Sequence, residues 1–129
     1  MKLKGIELNG TYKVRYYATN FEVRDEKGNM IYLEDSNGYW DKWEYDKEGN
    51  MTYFENSGGF WAKSEYNEKD KRSYYEDSKG YWAKSEYDEK GNVIYFEDKK
   101  GEIIDKRVKE LTIEEIEKSL GYKIKIKGE

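Results

Sequence analysis

Three glutamates recur at a fixed step, Glu44, Glu65 and Glu86, each two residues after a lysine, Lys42, Lys63 or Lys84. Neighbouring carboxylates can serve as a general acid and a general base when their surroundings tune them apart. A catalytic pair, however, is a singular cluster in a cleft. These glutamates come once per unit with their lysines, so cross-strand salt ladders account for them better. The chain has no His and no Cys. That removes the commonest general base, thiolate nucleophiles, disulfides and the usual soft metal ligands. No catalytic residue and no cofactor is therefore expected, and the chain reads as non-enzymatic.

Other carboxylates suggest a metal at first sight: Asp46, Asp88, Glu34-Asp35 and Glu97-Asp98. Calcium needs about six to eight oxygens converging from a defined loop. No loop here alternates Asp and Asn in that way, so these groups read as turn and surface carboxylates. The aromatic residues offer a different chemistry. Trp40, Trp61 and Trp82 recur at one step, as do Tyr53, Tyr74 and Tyr95. Such rows can stack on sugars, on bases or on a protein partner. Stacking on single-stranded nucleic acid comes with a basic groove, whereas the net charge is −4 and the first two units are acidic. Direct nucleic-acid binding and membrane binding are not expected. The six residues are the interface candidates, and each also suits a structural ladder inside a sheet.

The elements that must position them follow from a tandem repeat. Gly38, Gly59, Gly80 and Gly101 stand 21 residues apart. Tyr39-Trp40, Phe60-Trp61 and Tyr81-Trp82 follow the first three, and Tyr45-Asp46, Tyr66-Asn67 and Tyr87-Asp88 keep step. A period of this length marks stacked supersecondary units that cannot bury an apolar face alone. Each unit holds two runs rich in Tyr, Trp and Phe between turns that open with Asp or Asn and close with Gly, the signature of an antiparallel meander. Charged residues make up 40% and hydrophobic ones 36%, but the 17% of aromatics argues against disorder.

Alternation sorts each run by face. With a three-residue hairpin loop closed by a glycine bulge, one face takes Trp40, Lys42 and Glu44 with Thr52 and Phe54. The other takes Tyr39, Trp43, Tyr45 and Tyr53, and the pattern repeats. In the third unit Asp70 and Lys71 replace the turn Gly and Asn. That hairpin is expected to be the loosest or differently built.

The ends depart from the repeat. Residues 1–17 are expected to add one or two strands, with Asn9-Gly10 as a hairpin turn. Lysines there guard an open edge. Residues 18–101 form four β-hairpin repeats. Residues 102–129 form a strand-helix-strand cap, all within one domain. Thr112 and Glu115 make a capping box, Ile113, Ile116 and Leu120 share a helix side, and Gly121 suits the stop. This short helix is expected to dock on the sheet. Tyr122, Ile124 and Ile126 alternate with lysines as a last strand.

Residues 82–92, Trp-Ala-Lys-Ser-Glu-Tyr-Asp-Glu-Lys-Gly-Asn, resemble the YD repeat of Rhs-type proteins, which shares the period and the Tyr-Asp pair with a Gly three residues after the Asp. The likeness covers residues 39–101 and the second half of 18–38, where Arg24 replaces the tyrosine. It implies strips of β-hairpins. The family's large members coil such strips into a shell around a toxin, for which this chain is too short. Asn stands after the turn glycine where the family often has Arg. The repeats together with residues 111–126 are also similar to small proteins of phages and mobile elements in low-GC bacteria. That resemblance implies a protein that binds and blocks a host machine, such as a CRISPR nuclease or another defence enzyme.

The expected fold is thus mainly β: an extended antiparallel β-meander of about four 21-residue hairpin repeats with a short C-terminal helix and a last strand. The expected function is protein binding through an aromatic and acidic sheet surface, with a bacterial nucleic-acid enzyme as partner. Two alternatives stand beside it, a carbohydrate- or cell-wall-binding module and a structural strip in a phage or Rhs-like assembly. Unpaired sheet edges would allow a homo-oligomer. Met1-Lys2-Leu3-Lys4-Gly5 has no apolar core of a signal peptide, so the expected location is the cytoplasm of a bacterial host.

Overall fold

The computed structural model describes residues 3–17, 19–107 and 111–125. Ten strands follow one another: β1 (Lys13–Tyr16), β2 (Asn20–Arg24), β3 (Met30–Asp35), β4 (Trp40–Tyr45), β5 (Met51–Asn56), β6 (Trp61–Tyr66), β7 (Arg72–Asp77), β8 (Trp82–Tyr87), β9 (Val93–Asp98) and β10 (Ile103–Asp105). They form one open sheet in sequence order, every neighbouring pair antiparallel. The mainly β meander is as expected. The single helix among the described residues, α1 (Ile113–Leu120), comes after the strands.

The turns explain why the chain reverses where it does. In the β4–β5 hairpin, Gly49 N–H donates to the Asp46 carbonyl at 3.1 Å and Asp46 N–H to the Asn50 carbonyl at 2.9 Å. The Asp46 carboxylate accepts the N–H groups of Glu48 and Asn50 at 3.0 and 2.9 Å. Gly49 sits at φ 91°, where a side chain would be strained. The third unit keeps this design, contrary to expectation. Asn67 replaces the aspartate and accepts from Lys69 and Lys71 at 2.9 and 3.0 Å. These bonds hold Asp70 at φ 62°, a backbone region that Asp tolerates better than most residues.

The register differs from the sequence reading by one residue. The loop is the expected one, and Tyr45 pairs with Met51. The next pair is Glu44 with Tyr53, so Thr52 is absorbed in a second bulge. The same shift follows the hairpin turns of β2–β3, β6–β7 and β8–β9. One inserted residue moves the rest of a strand to the opposite face. Tyr53, Tyr74 and Tyr95 therefore join the tryptophans, while Phe54, Tyr75 and Phe96 lie on the opposite face.

Among the described residues, only one end of the sheet has a second layer. Leu8, Val23 and Tyr32 form the buried cluster, with Leu3, Ile6, Phe21 and Trp40 packed around it. Residues 3–12 thus lie across the first strands instead of forming the expected Asn9-Gly10 hairpin. The chain exposes 10050 Å², against about 7200 Å² for a compact protein of its mass. Most of the sheet is a single layer.

At the other end, Thr112 Oγ1 accepts Glu115 N–H and Gly121 closes α1 at φ 80°. The expected docking is not observed: among the described residues α1 contacts no strand and buries no residue. Residues 122–125 form no strand, and Ile126 lies outside the described residues. A helix of eight residues offers little apolar side, and β10 presents only three residues to receive it.

Candidate interaction surface

The bulges gather one face of the sheet into transverse rows. Glu44 on β4 stands opposite Tyr53, which stands opposite Lys63, then Glu76, then Trp82. The row of Glu65, Tyr74, Lys84 and Glu97 repeats the order one unit on. Cross-strand neighbours on one face interact, each pair stabilising by roughly 0.2–1 kcal/mol. Such pairs hold a sheet that has little core beneath it. The lysines face Glu55, Glu76 and Glu97 in these rows, not the glutamates two residues along their own strands. Lys42 Nζ lies 3.8 Å from Glu55.

Two further contacts fix the side chains. Lys42, Lys63 and Lys84 lie over the rings of Trp40, Trp61 and Trp82 at 5.8, 5.2 and 5.3 Å. Cation and ring are two residues apart on one strand, so alternation itself brings them together. The tyrosines donate along their strands in the same way. Tyr32, Tyr53 and Tyr95 hydroxyls reach Glu34, Glu55 and Glu97 at 2.6, 2.6 and 2.7 Å. The bond to Glu55, with partial withdrawal from water, pushes the Tyr53 phenol up to about 12. The bond to Glu97 likewise raises Tyr95. Burial, then the bond to Glu34, raises Tyr32.

All six residues singled out from the sequence share this face. Trp61, Trp82, Tyr53, Tyr74 and Tyr95 stand half-buried on the open sheet. Trp40 is different, for it stacks on Tyr32 at 6.2 Å and Gly5 presses on its ring. Each unit after the first adds one lysine and two glutamates here, Lys63 with Glu65 and Glu76 for example. The face is therefore aromatic and net acidic.

The opposite face is built from rings over small residues. Trp43, Phe54 and Phe60 pack at 5.7 and 6.2 Å. Ala62 and Ser64 are buried beside them. The recurrent tyrosines have a structural task. Pairing between β3 and β4 ends at Tyr32 with Lys42, which leaves the Met30 carbonyl beyond the ladder. Tyr45 donates to it at 2.7 Å, and Tyr66 and Tyr87 do the same for Met51 and Arg72 at 2.8 Å. An unpaired backbone carbonyl is costly to bury.

Sequence reasoning missed Glu55, Glu76 and Arg107, and weighed Glu97 only as a metal ligand or surface carboxylate. Arg107 holds the place of Glu86 one period on. Its guanidinium lies 4.1 Å from the Tyr95 ring centre and 3.2 Å from Glu86. The reversed charge at that phase of the repeat was the available signal. Among the described residues no three His, Cys, Asp or Glu side chains converge as metal ligands, and no helix is long and apolar enough to cross a membrane. The sequence matches no protein-family model and no curated protein.

Proposed function

We propose that the protein is a non-enzymatic binding module that meets a protein partner through its tryptophan face. The observation that carries this reading is the half-buried row of Tyr53, Trp61, Tyr74, Trp82 and Tyr95 on a single-layer sheet. Aromatic side chains give large contact area at low entropy cost. The surplus of carboxylates favours a basic partner surface. A bacterial nucleic-acid enzyme, such as a CRISPR or other defence nuclease, has such a surface in its phosphate-binding cleft, and a phage-encoded cytoplasmic inhibitor would compete there. The YD-repeat likeness fits the same picture, with hairpin strips serving as the scaffold.

Capture from a bacterial lysate tests this reading. The wild type is expected to retain a basic protein, and Trp61→Ser with Trp82→Ser to lose it. Recovery of no protein, or equal recovery by the variant, sinks the idea. Sugar stacking is less favoured, because ammonium groups lie over the three tryptophan rings. Retention on a glycan array would favour that alternative.

A further inference from the structure

The end of the array shows how its tryptophan face holds a cation. Arg107 lays its guanidinium on the Tyr95 ring, 4.1 Å from the centre, donates to both carboxylate oxygens of Asp105 at 3.0 Å, and pairs with Glu86 at 3.2 Å. Glu86 stands directly across from Tyr95. One period of 21 residues earlier, Glu86, Tyr95 and Arg107 become Glu65, Tyr74 and Glu86, and two periods earlier Glu44, Tyr53 and Glu65, with Lys84 and Lys63 in the place of Asp105. Glu44 stands across from Tyr53 as Glu86 does from Tyr95. The residue in the place of Arg107 is now a glutamate. Tyr53 thus has Glu44 directly across on β4 and Glu65 two residues beyond Lys63 on β6, and no guanidinium on its ring.

Among the described residues no other guanidinium lies on Tyr53 or Tyr74, although Arg107 meets Glu86 beside the second of them. Lys63, directly opposite Tyr53, leans instead over Trp61 at 5.2 Å. Lys84, opposite Tyr74, leans over Trp82 at 5.3 Å. Glu44 and Glu65 make no ion pair among the described residues, and both are exposed.

We propose that Tyr53 with Glu44 and Glu65, and Tyr74 with Glu65 and the Glu86 carboxylate that Arg107 also meets, are docking sites for arginine side chains of a partner protein. This rests on the reading of the tryptophan face as a protein-binding surface and names the chemistry it takes. A guanidinium suits the site better than an ammonium. It stacks flat on a ring and still directs N–H groups to carboxylates on both sides. The two tyrosines lie two strands and two residues apart, about 12 Å by ordinary sheet spacings. Arginines at positions i and i+4 of an extended segment lie about 13 Å apart on one side. They would reach both sites together.

The test uses the full chain and an acetylated, amidated Arg-Gly-Ser-Gly-Arg peptide followed by NMR. Ring resonances of Tyr53 and Tyr74 are expected to shift, with those of Trp61 and Trp82 little changed. The lysine counterpart should bind roughly threefold more weakly. Glu44→Gln with Glu65→Gln keeps shape and should weaken the arginine peptide about fivefold to tenfold. Arg107→Ala should add Tyr95 to the shifting set. Equal binding of the two peptides, shifts elsewhere on the chain, or an unaffected glutamine variant overturns the proposal. If the arginine peptide fails while Trp61 and Trp82 variants still lose a captured protein, the arginine sites fall and the protein-binding surface stands.

Discussion

At the residue scale, Gly5 and the ladder tyrosines make the sharpest demands. A Cβ on Gly5 would stand 2.3 Å from the Trp40 ring. The ring is held by Tyr32 and cannot swing away cheaply. Gly5→Ala is therefore expected to destabilise by about 1–3 kcal/mol, read as a lower urea midpoint. It should also expose Trp40, read as a red shift in fluorescence. Tyr53 is one source of sensitivity to alkali, beside Tyr32 and Tyr95. Its folded phenol is pushed up to about 12, against about 10 when unfolded. A raised pKa means that the folded state holds the proton more tightly. The contribution is complete below about pH 10 and disappears as pH rises through about 12. Stability should fall across that window, and Tyr53→Phe should flatten the fall. A curve of urea midpoint against pH that is identical for the two proteins would remove Tyr53 as a cause.

At the element scale, helix α1 stands apart from the sheet. Ile113 and Leu120 are each 48% exposed, and no strand receives them. Leu120→Ser is expected to change the unfolding free energy of the sheet, measured by urea titration, by less than about 0.5 kcal/mol. A larger loss would mean that the helix does pack on the strands. Its ends were legible because capping is local: Thr112, Glu115 and Gly121 carry the signal within one segment. The strands and turns were legible for the same reason, since Asp46 or Asn67 organises its own turn. The face of Tyr53 was not. Face depends on whether Thr52 is counted in the ladder, and neither Thr52 nor Ser73 nor Ile94 has a residue type that announces a bulge. The candidate tyrosines and tryptophans were found by their period, but their meeting on one face came from the bulge. Docking of α1 was expected from its apolar side alone, and an apolar side does not reveal whether a surface lies within reach.

At the scale of the whole molecule, each hairpin touches only its neighbours, so stability is expected to vary along the array. Val23 and Tyr32 are fully buried beneath residues 3–12. From β5 onward the sheet relies on cross-strand pairs whose two faces meet water. The last strand, β10, has three residues, all exposed, with Ile103 at 61%. Exposed ladders with few apolar contacts open locally at low cost, whereas amides tied to a core exchange only through larger openings. Amide hydrogen exchange should therefore be slowest in β2 and β3. It should quicken toward β9 and β10, with a difference of at least about tenfold between the ends. Uniform protection from β2 to β9 would show instead that the rows of Glu, Tyr, Lys and Trp bind the units into one cooperative block. A gradient bears on function too, because the arginine sites at Tyr53 and Tyr74 lie in the middle of the array. A partner bridging them would tie β4 through β8 together and slow exchange there, beyond the reach of the N-terminal core.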